Sequence, residues 1–234
     1  ISKYVIRNSA FQAGLSATFM PKPMFGEPGS GMHVHQYLGT DESSLFFDAN
    51  GLEKMSEMAL HYLGGILKHA PALLAFTNPS TNSYRRLVPG YEAPIRACYS
   101  KGNRTAAVRI PGYLSDPKTF RYEFRPPDAT SNPYLAFAAM LMAGIDGIRN
   151  RIDPGAPVNR DLFTMPKEEL AKIPVLPTSL DMALDALEAD HAFLLEGGVF
   201  TKDLLDMWLK LKRAESAALN LRPHPYEYET SYDC

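Results

Sequence analysis

Two histidines one residue apart close the stretch KPMFGEPGSGMHVHQ, Lys22 to Gln36, in which glycines stand at 26, 29 and 31. Glycine lets a backbone approach a bound group closely because it has no Cβ. Gly26 and Gly31 have the separation of a phosphate loop, but Met32 and His33 fill the places where that loop needs Lys and Ser or Thr. The glycine order is not that of a dinucleotide fingerprint either. The segment MHVHQYL (32–38) alternates as a strand does. On a strand, residues i and i+2 share a face, so His33 and His35 point the same way. Their Cα atoms then stand about 7 Å apart. Imidazoles so placed are either packed, hydrogen-bonded histidines, or a metal ligand and a phosphate donor.

The segment RYEFR (121–125) follows the same logic. Arg121, Glu123 and Arg125 share one face, and Tyr122 and Phe124 turn to the other, toward a core. Two guanidiniums flanking a carboxylate form either an ordinary ion network or a site where Glu123 takes a cation and the arginines hold anions. Both segments border a basic window. Residues 85–125 carry nine basic side chains (Arg85, Arg86, Arg96, Lys101, Arg104, Arg109, Lys118, Arg121, Arg125) against Glu92, Asp116 and Glu123, a net +6 in a chain of net −2. This is either a solvated face or a pocket for polyanions. Arg104 and Arg109 read either as a strand edge or as part of that pocket, and Arg86 and Glu92 lie in a loop.

The 234 residues are 45% hydrophobic, enough for a sizeable core. A net charge of −2 and a pI near 6.3 exclude a nucleic-acid binder and a polybasic membrane protein. Two cysteines, Cys98 and Cys234, without a CxxC, exclude a structural zinc site and fit a reducing cytosol. The longest apolar run, YLAFAAMLMAGI (134–145), falls short of the roughly 18 residues of a membrane span. No signal peptide is visible, so a cytoplasmic location is expected. The first residue is Ile1, which suggests a piece of a longer protein.

The elements that must position these residues follow from periodicity. A helix is predicted over 2–13, stopped by Gly14, then a strand over LSATFMP (15–21). SLFFD (44–48) is a candidate partner for 32–38. Apolar spacing predicts a helix over 51–70. Residues 77–94 show no periodicity, and a loop of that length in a compact domain is functional. TAAVRI (105–110) and RYEFR are short strands. Asn132 caps a buried helix over 132–152, with Pro133 in its first turn. Helices near 166–172, 179–188 and 201–219 follow, then an extended tail. Few crossover helices separate the strands, so the class is α+β, an antiparallel sheet flanked by helices.

Four ordered motifs, KPMFGEPGSGMHVHQ, NPSTNSYRRLVPGYEAP, NRTAAVRIP and RYEFRPPDATSNPYLAFAAMLMAGIDGI, together resemble the catalytic domain of glutamine synthetase of the bacterial type I kind. GGVFT (197–201) and HPYEYE (224–229) are similar to its C-terminal end, so the resemblance covers nearly the whole chain. It implies that His33 and Glu123 bind one of two Mg²⁺ or Mn²⁺ ions. It places His35 on ATP phosphates, and Arg109, Lys118 and Arg121 on the nucleotide side. It places Arg86, Arg125 and the backbone at Gly29 on L-glutamate. Arg104 touches both glutamate and nucleotide, and Glu92 is the glutamate of a flap that closes over the site. The implied reaction phosphorylates glutamate with ATP to an acyl phosphate, which ammonia then attacks to give glutamine.

Three positions depart from the family's pattern. Tyr37 stands on the nucleotide side where Ser or Thr is usual, Pro28 where Asn is common, and Phe163 where some type I enzymes carry an adenylylated tyrosine. The family's other metal-binding glutamates, and a β-grasp domain that completes a neighbouring subunit's site, lie N-terminal to the matched region. Residues 1–234 are therefore expected to be the C-terminal catalytic domain, with part of the site, from a homo-oligomer of two hexameric rings. A γ-glutamyl-amine ligase of the same superfamily and a non-catalytic binding relative are the competing readings.

Overall fold

The computed structural model describes residues 1–91, 93–112, 116–162 and 164–234. A four-stranded sheet is built from β1 (Val34–Gln36), β2 (Arg96–Lys101), β3 (Ala106–Ile110) and β4 (Tyr122–Phe124), in the order β1-β4-β3-β2. β4 pairs antiparallel with β1 and with β3, while β2 runs parallel to β3. The sheet of this α+β fold is therefore mixed. β2 is a strand that periodicity did not predict, because RACYSK does not alternate cleanly.

One face of the sheet is core. Val34 lies opposite Phe124, Phe124 opposite Val108, and Val108 opposite Tyr99; the last three are at most 1% exposed. Two long helices complete this core, α2 (Glu57–Thr77) and α4 (Pro133–Arg149), which pack on each other. Their backbones nearly touch at Gly65 and Gly147, where a Cβ on either glycine would strike the other helix's backbone. α1 (Ser2–Gln12) opens the chain and α5 (Lys167–Leu170) is a single exposed turn, while α6 (Leu180–Ala189), α7 (Ala192–Leu195) and α8 (Lys202–Asn220) cover α2 and α4 from outside.

Several boundaries differ from the sequence reading for local reasons. α2 starts later than residue 51 because Glu53 and Lys54 adopt positive φ in a short 3₁₀ turn; Ser56 then caps the helix by accepting from the Ala59 N–H. It also runs through Pro71 to Thr77, where a stop at Ala70 was expected. Residues 15–21 form no strand. Residues 44–48 make only isolated bridges, Gly39 to Ser44 and Phe47 to Met55. The tail is not extended: a short helix at Pro225–Ser231 carries a capping box between His224 and Glu227. The segment 77–94 holds a helical turn, α3 (Ser83–Arg86), and most of that turn is buried. Among the described residues, no helix is long and apolar enough to cross a membrane.

Candidate functional site

The second face of the sheet is charged. Strand register places His35 opposite Glu123 and Glu123 opposite Arg109, a row of three chemistry-bearing residues from three strands. Because side chains alternate, this row follows directly from the core row one residue away. Arg121 and Arg125 flank β4, and His33 precedes β1 by one residue.

Glu123 is the centre. It is 2% exposed, and three cationic or potentially cationic groups converge on it. His33 Nδ1 lies 2.9 Å and Arg125 Nη1 2.7 Å from Oε1, and Arg109 Nη2 lies 2.6 Å from Oε2. Burial pushes the carboxyl's pKa up. The His33 hydrogen bond and the Arg125 and Arg109 charges outweigh burial, and the value falls from 4.5 to about 2. Glu123 is therefore an anion throughout the physiological range. Among the described residues its Oε2 has the Arg109 ion contact but no aligned hydrogen-bond donor, and Arg109 Nε is also unpartnered. A carboxylate oxygen held by charge and not by an aligned hydrogen bond can exchange that contact for another cation.

His33 and His35 differ in state. With Nδ1 turned to Glu123, a neutral His33 carries its proton there and leaves the Nε2 lone pair free, the way a metal-ligating histidine is oriented by a carboxylate. Arg121 Nε donates to His35 Nδ1 at 3.3 Å. Burial lowers the His35 pKa, and the positive charges of Arg121 and Arg109 lower it further against the pull of Glu123. A neutral His35 that accepts at Nδ1 holds its proton on Nε2, ready to donate to an anion.

The glycine loop and the 77–94 segment meet beside this cluster. Asn82 accepts from the Lys22 N–H at 2.8 Å and donates to its carbonyl at 3.0 Å. Lys22 Nζ sits over the Tyr91 ring at 3.9 Å, and the Tyr91 hydroxyl donates to the Gly26 carbonyl at 3.3 Å. A Cβ at Gly29 would strike the Pro21 carbonyl oxygen and Arg86 Cγ, and one at Gly31 would strike the Arg86 guanidinium and crowd His33 Nε2. Both glycines are thus required for Arg86 and His33 to lie against the loop.

Arg86 is 7% exposed and donates to the carbonyls of Arg125, Pro126 and Pro127. Burial lowers its pKa to about 10, with Asp128 opposing the fall, so it stays charged at neutral pH. Arg125 Nε donates to the Arg104 carbonyl at 3.0 Å, which ties the β3 approach to β4. Arg104, Lys118 and Tyr37 are exposed, Tyr37 by 50%. Beside Tyr37, a cleft of about 330 Å³ opens between β1 and α4, lined by His35, Gln36, Tyr62 and Met140 among others. Glu92 and Phe163 lie outside the described residues. The structure therefore brings together His33, His35, Arg86, Arg109, Arg121, Glu123 and Arg125, with Gly29 against Arg86. Lys118 lies on a 3₁₀ turn, next to Thr119, whose carbonyl accepts from Arg121 at 2.9 Å. Sequence reading missed Asn78, Asn82 and Asp128, all in contact with the site's scaffold. The two prolines after Arg125, which remove backbone donors, were the one signal pointing to them.

Among the described residues no group of three or more His, Cys, Asp or Glu side chains could hold a metal ion. His33 Nε2 and Glu123 Oε2 offer two donors, whereas a hard divalent cation takes about six, mostly oxygens. The donor chemistry fits such a cation, and the set is partial.

One buried carboxylate ringed by arginines and histidines stands on the open face of an α+β sheet, a charge arrangement that suits anionic groups. The chain belongs to the glutamine synthetase catalytic-domain family, whose model matches residues 1–231. It is similar to the glutamine synthetases of Microchaete diplosiphon (60% identical) and Mycobacterium bovis (58%), with 99% of this chain covered in each case. The alignments cover 49% and 48% of those proteins, so the chain spans about half the length of the curated relatives it matches. Among solved structures it resembles the cryo-EM structure of Plasmodium falciparum glutamine synthetase, with a TM-score of 0.88, 31% identity, and 98% of this chain and 52% of that one covered. It also resembles a GmaS–ADP complex, with a TM-score of 0.86, 37% identity, and 99% and 53% covered.

Proposed function

We propose that this chain is the C-terminal catalytic domain of an ATP-dependent ligase that joins ammonia to the γ-carboxylate of L-glutamate, giving glutamine, ADP and phosphate. The observation that carries the reading is the Glu123 cluster, in a chain 58% identical to a glutamine synthetase along 99% of its length. The first step brings the γ-carboxylate against the terminal phosphate of ATP, two anions that repel. Arg109, Arg121 and a neutral His35 with its proton on Nε2 supply donors for the phosphate oxygens. Arg86, Arg125, Arg104 and the Gly29 backbone supply the carboxylate side. His33 and Glu123 would hold a Mg²⁺ or Mn²⁺ ion. Such an ion supplies charge neutralisation for phosphoryl transfer.

The acyl phosphate must then be kept from water until ammonia arrives. Glu92, in the segment after α3, is the proposed flap residue that closes the site and takes a proton from the attacking nitrogen. The GmaS relative is seen with ADP, which supports a nucleotide as a ligand of this domain type. Tyr37 and Lys118 are the proposed nucleotide-side residues at the exposed rim. The remaining metal ligands and a β-grasp domain belong to the rest of the protein. The proposed assembly is a cytoplasmic homo-oligomer of two hexameric rings with shared sites.

The test is direct. The intact protein, given ATP, L-glutamate, ammonium and Mg²⁺, forms one phosphate per glutamine, and the isolated 234-residue chain forms none. An intact protein that binds ATP and glutamate but makes no amide would overturn the reading.

A further inference from the structure

We propose that Asn78 and Asp128 are positioning residues that set the Arg86 guanidinium, and through it the grip on the amino-acid substrate's carboxylate. The role of Arg86 rests on the function proposed above; the cradle around it is visible in the structure itself. Arg86 Nη1 donates to the carbonyls of Pro126 (2.7 Å) and Pro127 (3.3 Å), and Nη2 to that of Arg125 (3.1 Å). These three carbonyls are consecutive. Proline has no N–H, so residues 126 and 127 have no backbone donors of their own with which to fix that orientation. Something else must hold the segment.

Asn78 and Asp128 do this from behind. Asn78 Nδ2 donates to the Pro126 carbonyl at 2.7 Å and to Asp128 Oδ2 at 3.1 Å. Asp128 Oδ1 accepts from the Thr130 N–H at 2.9 Å and from the Thr130 hydroxyl at 2.5 Å. The Asp128 N–H donates to the Thr77 carbonyl at 3.1 Å, which fastens the turn to the end of α2. Asn78, Asp128 and Thr77 are all 0% exposed. A buried carboxylate that makes no salt bridge among the described residues is costly. It is tolerated where every oxygen is satisfied and the network fixes one conformation.

The front of the guanidinium is left open. Two Nη1 protons and one Nη2 proton are spent on carbonyls; a guanidinium carries five N–H groups. Among the described residues, the second Nη2 proton and Nε–H make no hydrogen bond. Nη2 lies against Gly31, where a Cβ would collide with it, on the side where His33 Nε2 also lies. The cradle thus spends the back of the fork on the scaffold and leaves donors toward the glycine loop. A carboxylate fits those donors.

Two variants test this, Asp128→Asn and the milder Thr130→Val, which deletes one donor to Asp128 and leaves the backbone bond. In the intact enzyme, Asp128→Asn should raise the KM for glutamate about tenfold and Thr130→Val about threefold, with the KM for ATP within twofold of the unmodified enzyme. If Asp128→Asn does not fold, Thr130→Val alone decides. In the 234-residue chain, NMR should show the Arg86 Nη protons exchanging slowly, and at least tenfold faster in either variant. An unchanged glutamate KM, or an equal rise for both substrates, overturns the positioning role. Unchanged guanidinium exchange overturns the cradle. Failure of the unmodified enzyme to make any amide sinks the proposed function instead, and the exchange measurement still judges the cradle.

Discussion

Replacing Glu123 by Gln keeps the shape of the side chain and removes the charge on which His33, Arg109 and Arg125 converge. The size of the loss follows from the carboxyl's pKa, about 2 in the fold against 4.5 ordinarily, despite burial that pushes it up. A gap of about 2.5 corresponds to about 3.4 kcal/mol, at about 1.4 kcal/mol per pH unit. Water reaches the cluster from the His33 side, where the imidazole is 33% exposed, and screening reduces the expected net effect to about 1–2 kcal/mol. Glu123→Gln should therefore destabilise the chain by that amount at pH 7 in EDTA. The amide accepts from at most one of the two guanidiniums and turns its own NH₂ toward the other.

The pH dependence gives the stricter check. The folded value lies below the unfolded one, so the contribution is present above about pH 4.5 and is lost as pH falls toward 2. At pH 5 the difference between the two chains should be nearly complete. At pH 3.5, one unit into a 2.5-unit gap, about two-fifths of it should be gone. Urea denaturation of both chains at pH 7, 5 and 3.5 measures this. A gap that stays constant from pH 7 to 3.5, or a Gln variant more stable at pH 7, would refute the argument that the cluster is a net electrostatic gain.

Three further outcomes are expected. Gly31→Ala puts a Cβ into the Arg86 guanidinium and 3.0 Å from His33 Nε2. Amide synthesis by the intact enzyme should fall at least tenfold while far-ultraviolet circular dichroism of the chain is unchanged. His69, 2% exposed on α2, reaches Asp146 of α4 at 2.9 Å and Asp190 at the end of α6 at 2.7 Å, and stacks on Phe193 of α7. His69→Leu leaves Asp146 with Asn150 and the longer Lys68 contact at 3.7 Å, and leaves the half-exposed Asp190 to water. It should cost about 2 kcal/mol by urea denaturation; a loss under about 0.5 kcal/mol would show the bridge to be incidental. Backbone amides of 83–87 should exchange slowly with deuterium without any ligand, because Ser83, Tyr84, Arg86 and Leu87 are buried. Rapid exchange there would return the whole 77–94 segment to the status of a mobile flap.

Strand alternation showed which side chains share a face; it did not show how the strands pair. Strand alternation in MHVHQYL and RYEFR was enough to put His33 and His35 on one side and Arg121, Glu123 and Arg125 on one side. Which strand would lie next to which was not legible, because register depends on contacts far apart in the chain, here His35 to Glu123 and Glu123 to Arg109. β2 was missed because its parallel pairing with β3 depends on that partner, and RACYSK has no period of its own. Pro71 marked a helix end that the packing of α2 on α4 overrides. The 77–94 segment was read as one irregular loop because its order comes from tertiary hydrogen bonds, Asn82 to Lys22 and Asn78 to Pro126.

The same alternation explains why core and site are hard to change separately. Each of β1, β3 and β4 gives one residue of the row Val34, Val108, Phe124 to the helices and the next residue of the row His35, Arg109, Glu123 to the open face. A one-residue slip would bury all three charged or polar groups against α2 and expose the three apolar ones, so helix packing forbids it from one side. Slippage would also separate Glu123 from the cations that hold its pKa near 2, so electrostatics forbids it from the other. Register here is specified twice, by the hydrophobic effect and by charge pairing. A short strand of three residues such as β4 would be weakly specified by either alone. Screening the charges with salt should therefore loosen β1 and β4 before it loosens α2 and α4.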